Sequence, residues 1–598
     1  MNFCEIKYYT TKKRLIKVKD KILKYRNLID ILVIILVACI LGIPLLNSKL
    51  NVYYDDGIQH IARALGTKEA FKENALFPNV ISSFSNGYGY SWNLFYGPLS
   101  VYGICLINVI INDLLISYKI FVFLCMFLSG IYMYKFVKEI SGNNDVGILA
   151  GILYMTFPYH LTDLYTRNAL GEYVSFLFIP LVFLGLYRLF YSEKKTYLLA
   201  VGAIGLILTH NLSTIIVAFF SLIYVIFNLE KLTDKKILKK ILINIVFIML
   251  ITSFYWIPMI EAIVSCNYQV YEDGMMSTSE STARHGLALK QLFITMNDGS
   301  YVFELGPHII IMLALSIMTF RLIRPQFKQQ YVLFFICGLL SLWMSTKYFP
   351  WKYLPEEFSI IQFPWRMLMM AAFFLSVVCA INMYAIIKKF NFKDVIVIST
   401  ISILYILAFA NVLIVYDEEP LTNIANLNLG KYSGKEYEVV AGCGKGEYLP
   451  VNAYKNRFYV ATREQGMYVL EGKAIIENQN KNGSNYKASV KTLDAEYTLF
   501  ELPYVYYPGY EITLDSLKLQ NYETENGFLG FVLGKEESGE IEVRYKGTVT
   551  MKVSMFISIM SLSVAIGILN IDKVKLKKKF SKGLKENKEK IKNEKANK

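Results

Sequence analysis

The residues of this sequence best suited to chemistry come in short acid–base clusters. Residues 53–63 read Tyr-Tyr-Asp55-Asp56-Gly-Ile-Gln-His60-Ile-Ala-Arg63. With a helix starting at residue 56, Asp56, His60 and Arg63 share one face at i, i+4 and i+7. A carboxylate so placed can take the proton of a hydroxyl, and a neighbouring imidazole can donate to developing negative charge. An aspartate just before a helix is also a common N-cap, so one of Asp55 and Asp56 is expected to cap and the other to stay free for chemistry. A second cluster, His160-Leu-Thr-Asp163-Leu-Tyr-Thr-Arg167-Asn-Ala-Leu-Gly-Glu172, closes an apolar run. A charge placed inside a bilayer costs roughly 2.5–3.5 kcal/mol on insertion scales, so Asp163, Arg167 and Glu172 must face a cavity or one another. An Asp163–Arg167 ion pair is the structural alternative. The third, Ile361-Gln362-Phe-Pro-Trp365-Arg366, opens another apolar run. Pro364 suits a helix start, and Arg366 can either hold a phosphate or reach up to lipid headgroups.

The elements that must carry these clusters are membrane helices. Of 598 residues, 54% are hydrophobic and 19% charged, below the roughly 25% charged of soluble domains. Apolar stretches long enough to span fall near 28–47, 119–137, 171–190, 197–210, 212–228, 238–258, 307–323, 331–346, 366–387, 395–415 and 549–570, with a shorter one at 146–160. Basic connectors stand at Lys135/Lys138, Arg188/Lys194/Lys195, Lys231–Lys240, Arg321–Lys328 and Lys388/Lys389/Lys393. All lie on the cytoplasmic side if twelve helices cross and both termini are inside. Counting residues 94–112 as a further span would reverse every later loop, so this stretch is expected to lie as an amphipathic helix on the outer surface. All five histidines, His60, His160, His210, His285 and His308, then fall in external loops or at outer helix ends.

The expected organisation is a basic N-terminus over 1–27, a transmembrane domain over 28–415 with an external loop at 48–118, an extracytoplasmic domain over 416–548, a last helix at 549–570 and a Lys-rich tail over 571–598. Residues 416–548 alternate polar and apolar in short runs, such as Arg457-Phe-Tyr-Val-Ala, Tyr497-Thr-Leu-Phe and Glu540-Ile-Glu-Val-Arg-Tyr. Turn signals at Lys481-Asn-Gly-Ser, Pro508-Gly509 and Ser538-Gly539 separate them, predicting a β-rich sandwich. Its Tyr504, Tyr506, Tyr507 and Tyr510 either form core or stack on sugar rings. The net charge of +15 does not point to nucleic acid, because nine Lys/Arg lie in residues 1–26 and twelve lysines follow residue 572. Both groups flank apolar helices and read as anchors near anionic lipid. The eight cysteines show no metal or disulfide spacing. Residues 28–46 lack a small-residue cleavage site and read as a retained helix.

An acidic first external loop, a surface helix and a second acid–base mouth together resemble the GT-C superfamily of membrane glycosyltransferases, which includes oligosaccharyltransferase and aminoarabinose transferase. In detail the strings are similar to a bacterial subgroup labelled 6-pyruvoyl-tetrahydropterin synthase-related membrane proteins. Asp56…His60, Asn86-Gly-Tyr-Gly-Tyr, Phe95-Tyr-Gly-Pro-Leu, Thr166-Arg-Asn-Ala-Leu-Gly-Glu172, Leu208-Thr-His210-Asn, Ile361-Gln-Phe-Pro-Trp-Arg366, Gly446-Glu-Tyr-Leu-Pro450 and Tyr507-Pro-Gly-Tyr510 carry the likeness. No clustered histidine triad for the zinc of a soluble pterin enzyme is present, so the label implies no pterin chemistry.

The resemblance implies a GT-C-like fold of about twelve helices with the β-rich domain before the last. It implies transfer of a sugar from a polyprenyl-phosphate carrier to an envelope glycan, lipid or protein at the outer face of a bacterial cell membrane. Asp55 and Asp56 are then candidate bases, with Asp163 and Glu172 at the second acidic position. Arg167 and Arg366 become phosphate ligands, with His60, His160 and His210 as supporting donors and Gln362 and Trp365 beside them. No cofactor is fixed by these residues, since Asp163 stands apart from Glu172 rather than in a tight Asp-x-Asp; a divalent cation is the one candidate. The competing readings are a transporter or flippase of envelope precursors, which should show repeated halves, and a non-catalytic envelope scaffold.

Overall fold

The structure is a computed structural model that describes residues 25–46, 56–73, 77–272, 277–294, 303–390 and 446–570. Asp55, the expected span at 395–415, the segment 416–445 and most of both basic ends lie outside the described residues.

In chain order the helices are α1 (25–41), α2 (Gly57–Lys72), α3 (Trp92–Phe95), α4 (Leu99–Ile111), α5 (Leu114–Ser141), α6 (Asn144–Met155), α7 (Pro158–Tyr165), α8 (Leu170–Tyr191), α9 (Tyr197–Ile207) and α10 (Asn211–Ile226). They continue with α11 (Lys235–Ile251), α12 (Ser253–Ser265), α13 (Ser279–Arg284), α14 (Pro307–Ala314), α15 (Ser316–Phe320), α16 (Pro325–Ser345), α17 (Leu368–Phe390), α18 (Val451–Lys455), α19 (Arg457–Thr462) and α20 (Val549–Asn570). Among the described residues, α5, α8, α16, α17 and α20 are each long and apolar enough to cross a bilayer. The pair α11–α12 passes the same test together, although it bends by 64°. The bend sits at Thr252, whose N–H and hydroxyl both donate to the Ile248 carbonyl, at 3.1 and 2.7 Å.

Local sequence explains the boundaries. Asp113 caps α5, its carboxylate accepting from Ile116 N–H at 2.8 Å. Gly142, at φ +63, ends the same helix in the left-handed region. Asn143 then caps α6. Helix α4 has 13 residues, a rise of about 20 Å, too short to cross the roughly 30 Å hydrocarbon core. It packs against α2 and α5 and leaves Leu106, Val109 and Ile110 more than two-thirds exposed. Its apolar outer end suits contact with lipid.

The distal domain pairs two antiparallel sheets. One runs β1 (Tyr468–Glu471), β4 (Tyr497–Val505), β8 (Phe528–Gly534), β7 (Asn521–Glu523), in that spatial order. The other runs β2 (Ala474–Asn482), β3 (Asn485–Thr492), β9 (Ser538–Tyr545), β5 (Tyr510–Leu514), β6 (Leu517–Leu519). Across the β4–β8 ladder Phe500 stands opposite Phe531, their rings stacked at 4.8 Å. Two sequence expectations are corrected here. Residues 457–461 form part of helix α19, not a strand. The Ser538-Gly539 pair opens β9, and the chain turns just before it at 535–536. Tyr504, Tyr507 and Tyr510 are buried in the sandwich core, and Tyr506 is half-buried against it.

That core is shared with the loop that follows α2. Val80, Ile81, Phe84, Tyr88 and Tyr90 join the strand residues and α12 in one apolar cluster. The Asn86-Gly-Tyr-Gly-Tyr string is the dock. Val505 N–H donates to the Tyr88 carbonyl at 2.8 Å, Tyr88 Oη donates to the Glu464 carbonyl at 3.1 Å, and Tyr448 N–H donates to Tyr90 Oη at 3.0 Å. Gly87 sits at φ +85, and a Cβ there would meet the Gln465 amide at 2.5 Å. Gly87→Ala is therefore expected to cost about 1–2 kcal/mol from the left-handed backbone alone. It should also loosen the Gln465 contact, and both effects would be read as a lower thermal midpoint of the full chain.

Candidate active site

Three chain segments bring the predicted clusters to one place. Helix α7 and the turn after it carry Tyr159, Asp163 and Arg167, and the first turn of α8 carries Glu172. Asn168, at φ +47, reverses the chain between them, and Ala169 N–H donates to the Asp163 carbonyl at 2.9 Å. Arg167 Nη1 consequently donates to Asp163 Oδ1 at 2.6 Å, to Tyr159 Oη at 3.0 Å and to Glu172 Oε2 at 3.2 Å. Tyr159 Oη donates in turn to Glu172 Oε1 at 2.6 Å. These side chains are almost wholly buried, with Asp163 at 0%, Glu172 at 2% and Arg167 at 4% exposure. The ion pair weighed from the sequence is thus real, and it extends to a second carboxylate.

Arg366 enters from the start of the α17 segment. Its Nε lies 3.5 Å from Glu172 Oε2, while Nη1 donates to the Ile361 carbonyl at 2.9 Å and to Gln362 Oε1 at 3.0 Å. Gln362 has φ +61 and ψ −53, and Phe363 N–H donates to the Ile361 carbonyl at 2.6 Å. This is the rare γ-turn with positive φ, a strained conformation that turns the Ile361 carbonyl toward the guanidinium. Trp365 is not at Glu172: its ring stacks on Phe363 at 4.5 Å and lies 5.3 Å from Phe303.

The first loop supplies the other side. Asp56 N–H donates to the Arg167 carbonyl at 3.2 Å, which seats the start of α2 on the arginine. Asp56 occupies the N-cap position, yet its side chain makes no capping hydrogen bond. Asp56 is an exposed residue, whereas the other acids of the cluster are buried. His60 is buried one turn further along α2 and meets the Tyr96 ring edge at 5.7 Å. Tyr96 in turn lies 5.8 Å from His210. A Cβ on Gly171 would sit 2.5 Å from the Tyr96 hydroxyl, so only glycine lets that phenol approach the start of α8. Tyr96 feels the charges of Asp56, Arg63, Arg366 and Glu172, and burial holds its phenol above the usual range.

His210 caps α10. Its Nδ1 accepts from Ser213 N–H at 3.3 Å and pairs with Ser213 Oγ at 2.7 Å. Because a backbone N–H can only donate, Nδ1 is unprotonated and Nε2 carries the proton. His160 plays a packing part: Nδ1–H donates to the Tyr154 carbonyl at 3.0 Å and the ring stacks on Phe176 at 4.0 Å. His285 packs edge-on to Phe363 and Trp365.

Sequence reasoning left Tyr96 and Tyr159 out of the candidate residues. Tyr96 lay inside the Phe95-Tyr-Gly-Pro-Leu string, and Tyr159 stood beside His160, so each had a neighbouring signal without a charge of its own. Arg63, on the expected face of α2, is fully buried and holds the loop rather than an acid. Its Nε donates to Asn93 Oδ1 at 2.8 Å and its Nη2 to the Tyr96 carbonyl at 2.8 Å. Among the described residues, no three His, Cys, Asp or Glu side chains are arranged to hold a metal ion. Asp163 and Glu172 are both held by arginine.

Burial, reinforced by the Arg63 charge, lowers the His60 imidazole to about 3. The folded state therefore binds fewer protons than the unfolded state from about pH 3 up to an unfolded value of about 6.5. Stability is full above that window and falls as pH drops through it. His60→Asn should flatten this part of the stability–pH curve, checked by thermal midpoints between pH 4 and 7.

Comparison with known proteins places this geometry in context. Residues 94–420 match a family described as 6-pyruvoyl-tetrahydropterin synthase related domain, membrane protein. A protein of Lactococcus lactis subsp. cremoris (strain MG1363), described as uncharacterised, is 26% identical over 602 aligned residues, covering 92% of this chain and 96% of that one. Among solved structures, the cryo-EM structure of the arabinofuranosyltransferase AftD from mycobacteria aligns over 64% of this chain at 15% identity, with a TM-score of 0.43. The aligned part spans 26% of that chain.

Proposed function

The chain belongs to the 6-pyruvoyl-tetrahydropterin synthase related family of membrane proteins, and we propose that it is a glycosyltransferase acting at the outer membrane surface. The donor is a sugar on a polyprenyl-phosphate carrier, and the acceptor is a hydroxyl of an envelope glycan, lipid or protein. One observation carries the proposal: the exposed residue Asp56, whose backbone N–H donates to the Arg167 carbonyl, stands at the edge of a buried Asp163–Arg167–Glu172–Arg366 chain.

In this reading Asp56 removes the proton of the acceptor hydroxyl as its oxygen attacks the anomeric carbon. The carbon–oxygen bond to the carrier phosphate breaks, and polyprenyl phosphate leaves with the electron pair. Arg366 is the cation best placed to meet that charge, with the Nε2–H of His210 as a neutral donor. Arg167 is a positioning residue, since its bonds to Asp163 and Glu172 fix the floor on which Asp56 rests. His60 and Tyr96 line the same side. Asp55 adjoins Asp56 in sequence and remains a second candidate base.

The membrane orientation belongs to the same proposal. Arg366 stands at one end of the α17 segment and Lys388 and Lys389 at the other. From Leu368 to Lys388 the helix rises about 30 Å, close to the hydrocarbon thickness. In this reading the basic end lies in the cytoplasm, the acid–base chain lies outside and both termini lie inside. A cysteine replacing the exposed Ile58 should react with an impermeant thiol reagent on intact cells; reaction only after permeabilisation would reverse the orientation. The function is tested by envelope mass spectrometry of cells lacking the protein, complemented with native chain or Asp56→Ala. A sugar mass restored by the native chain alone supports it. Full restoration by Asp56→Ala, and by the double variant with Asp55→Ala, removes both bases and favours a scaffold or transporter.

A further inference from the structure

At the end of α17 remote from Glu172 the structure holds a second site of different chemistry. A cavity of about 560 Å³ opens where the ends of α5, α6, α16 and α17 meet. That volume falls in the range of about 300–1,000 Å³ typical of small-molecule sites. Its walls are mainly apolar, including Val146, Phe327, Phe334 and Ile381. Its rim carries Arg324, Lys388 and Lys389, all exposed. Among the described residues, no acidic side chain lines it. The acids that adjoin lining residues in the described chain are paired elsewhere, Glu139 with Arg188 and Lys194 and Asp145 with Arg26. Asn143 Nδ2 donates to Tyr384 Oη at 2.7 Å, tying the entrance of α6 to α17 beside the opening.

Two basic connectors far apart in sequence thus converge on one apolar opening at a helix-bundle end. Positive charge alone would suit any anion. An apolar cavity behind it selects an anion with a hydrocarbon tail. We propose that this cavity binds an anionic glycerophospholipid of the cytoplasmic leaflet. Its phosphate lies between Arg324 and the Lys388–Lys389 pair, and one acyl chain enters between α16 and α17. The site is separate from the acid–base chain, so its occupancy does not depend on the proposed transfer reaction.

The test uses the full-length protein reconstituted in nanodiscs of phosphatidylcholine with phosphatidylglycerol, followed by native mass spectrometry of retained lipid. The native chain should retain phosphatidylglycerol selectively. Arg324→Gln/Lys388→Gln/Lys389→Gln, which removes the rim charge, should lower that retention by about tenfold or more. Val146→Trp, which fills the cavity without changing charge, should lower it similarly; Ala385→Leu serves where the tryptophan variant loses its thermal transition. Unchanged retention in the charge variant overturns headgroup recognition. Loss in the charge variant with full retention in a folded cavity-filled variant overturns the cavity, leaving only attraction to the membrane surface.

Discussion

Arg167→Met is expected to lower the folding stability of the full chain by about 3–5 kcal/mol, the usual cost of removing one partner of a buried ion pair. Methionine keeps much of the arginine stem volume, so the loss is electrostatic rather than a cavity effect. Arg167 donates to Asp163, Tyr159 and Glu172 from the same Nη1 atom. Without it the Asp163 and Glu172 carboxylates share a water-poor interior, where Arg366 is the remaining cation paired with Glu172 among the described residues. Arg167→Lys should recover part of the loss, because an ammonium keeps the charge but not the planar geometry. A second removal sharpens the test. In Arg167→Met/Glu172→Gln, one unpaired charge disappears, so the double variant should be more stable than the sum of the two single losses. Thermal and denaturant unfolding of the four proteins in one detergent gives the cycle directly. Additive losses would show that the two side chains do not interact.

Asp56→Asn is expected to leave the fold intact and to reduce sugar transfer by about 10²- to 10⁴-fold, the usual contribution of a general base. The backbone bond from residue 56 to the Arg167 carbonyl survives the change, and the native side chain makes no capping bond to lose. Asp56→Glu moves the carboxylate by one methylene and should retain an intermediate rate. A structural acid would behave differently: both variants would then shift the thermal midpoint, and neither would separate rate from stability. The comparison is informative because Asp56 is exposed while Asp163 and Glu172 are buried.

Much of this arrangement was legible from residue types. Hydropathy located α5, α8, α16, α17 and α20, because a bilayer demands long apolar helices and tolerates few charges within them. The rarity of such charges made Asp163, Arg167, Glu172 and Arg366 conspicuous, and all four prove to be linked. Sequence reasoning was weaker where tertiary packing decides. Arg457-Phe-Tyr-Val-Ala has the alternation of a strand but folds as helix α19, whose residues pack beside the first loop instead of in a sheet. His160 resembled a site residue by position, but stacking on Phe176 turns its ring into the bundle. Tyr96 escaped notice for the opposite reason. It has no charge, and its place between His60 and His210 depends on the missing side chain of Gly171. The γ-turn at Gln362 was likewise invisible, since nothing in its residue types requires positive φ there. The basic connectors were read one by one as orientation signals. Their convergence around a cavity appears only when α16 and α17 are packed together.

The central claim is that the acid–base chain around Asp56 transfers sugar from a lipid phosphate. Its most direct test is reconstitution of the full-length protein in vesicles containing polyprenyl-phosphate-linked sugars extracted from the source membrane, with release of free polyprenyl phosphate followed by mass spectrometry. The account predicts acceptor-dependent release by the native chain and loss of that release in Asp56→Asn. Release that continues undiminished in a folded Asp56→Asn/Asp55→Asn double variant would contradict it.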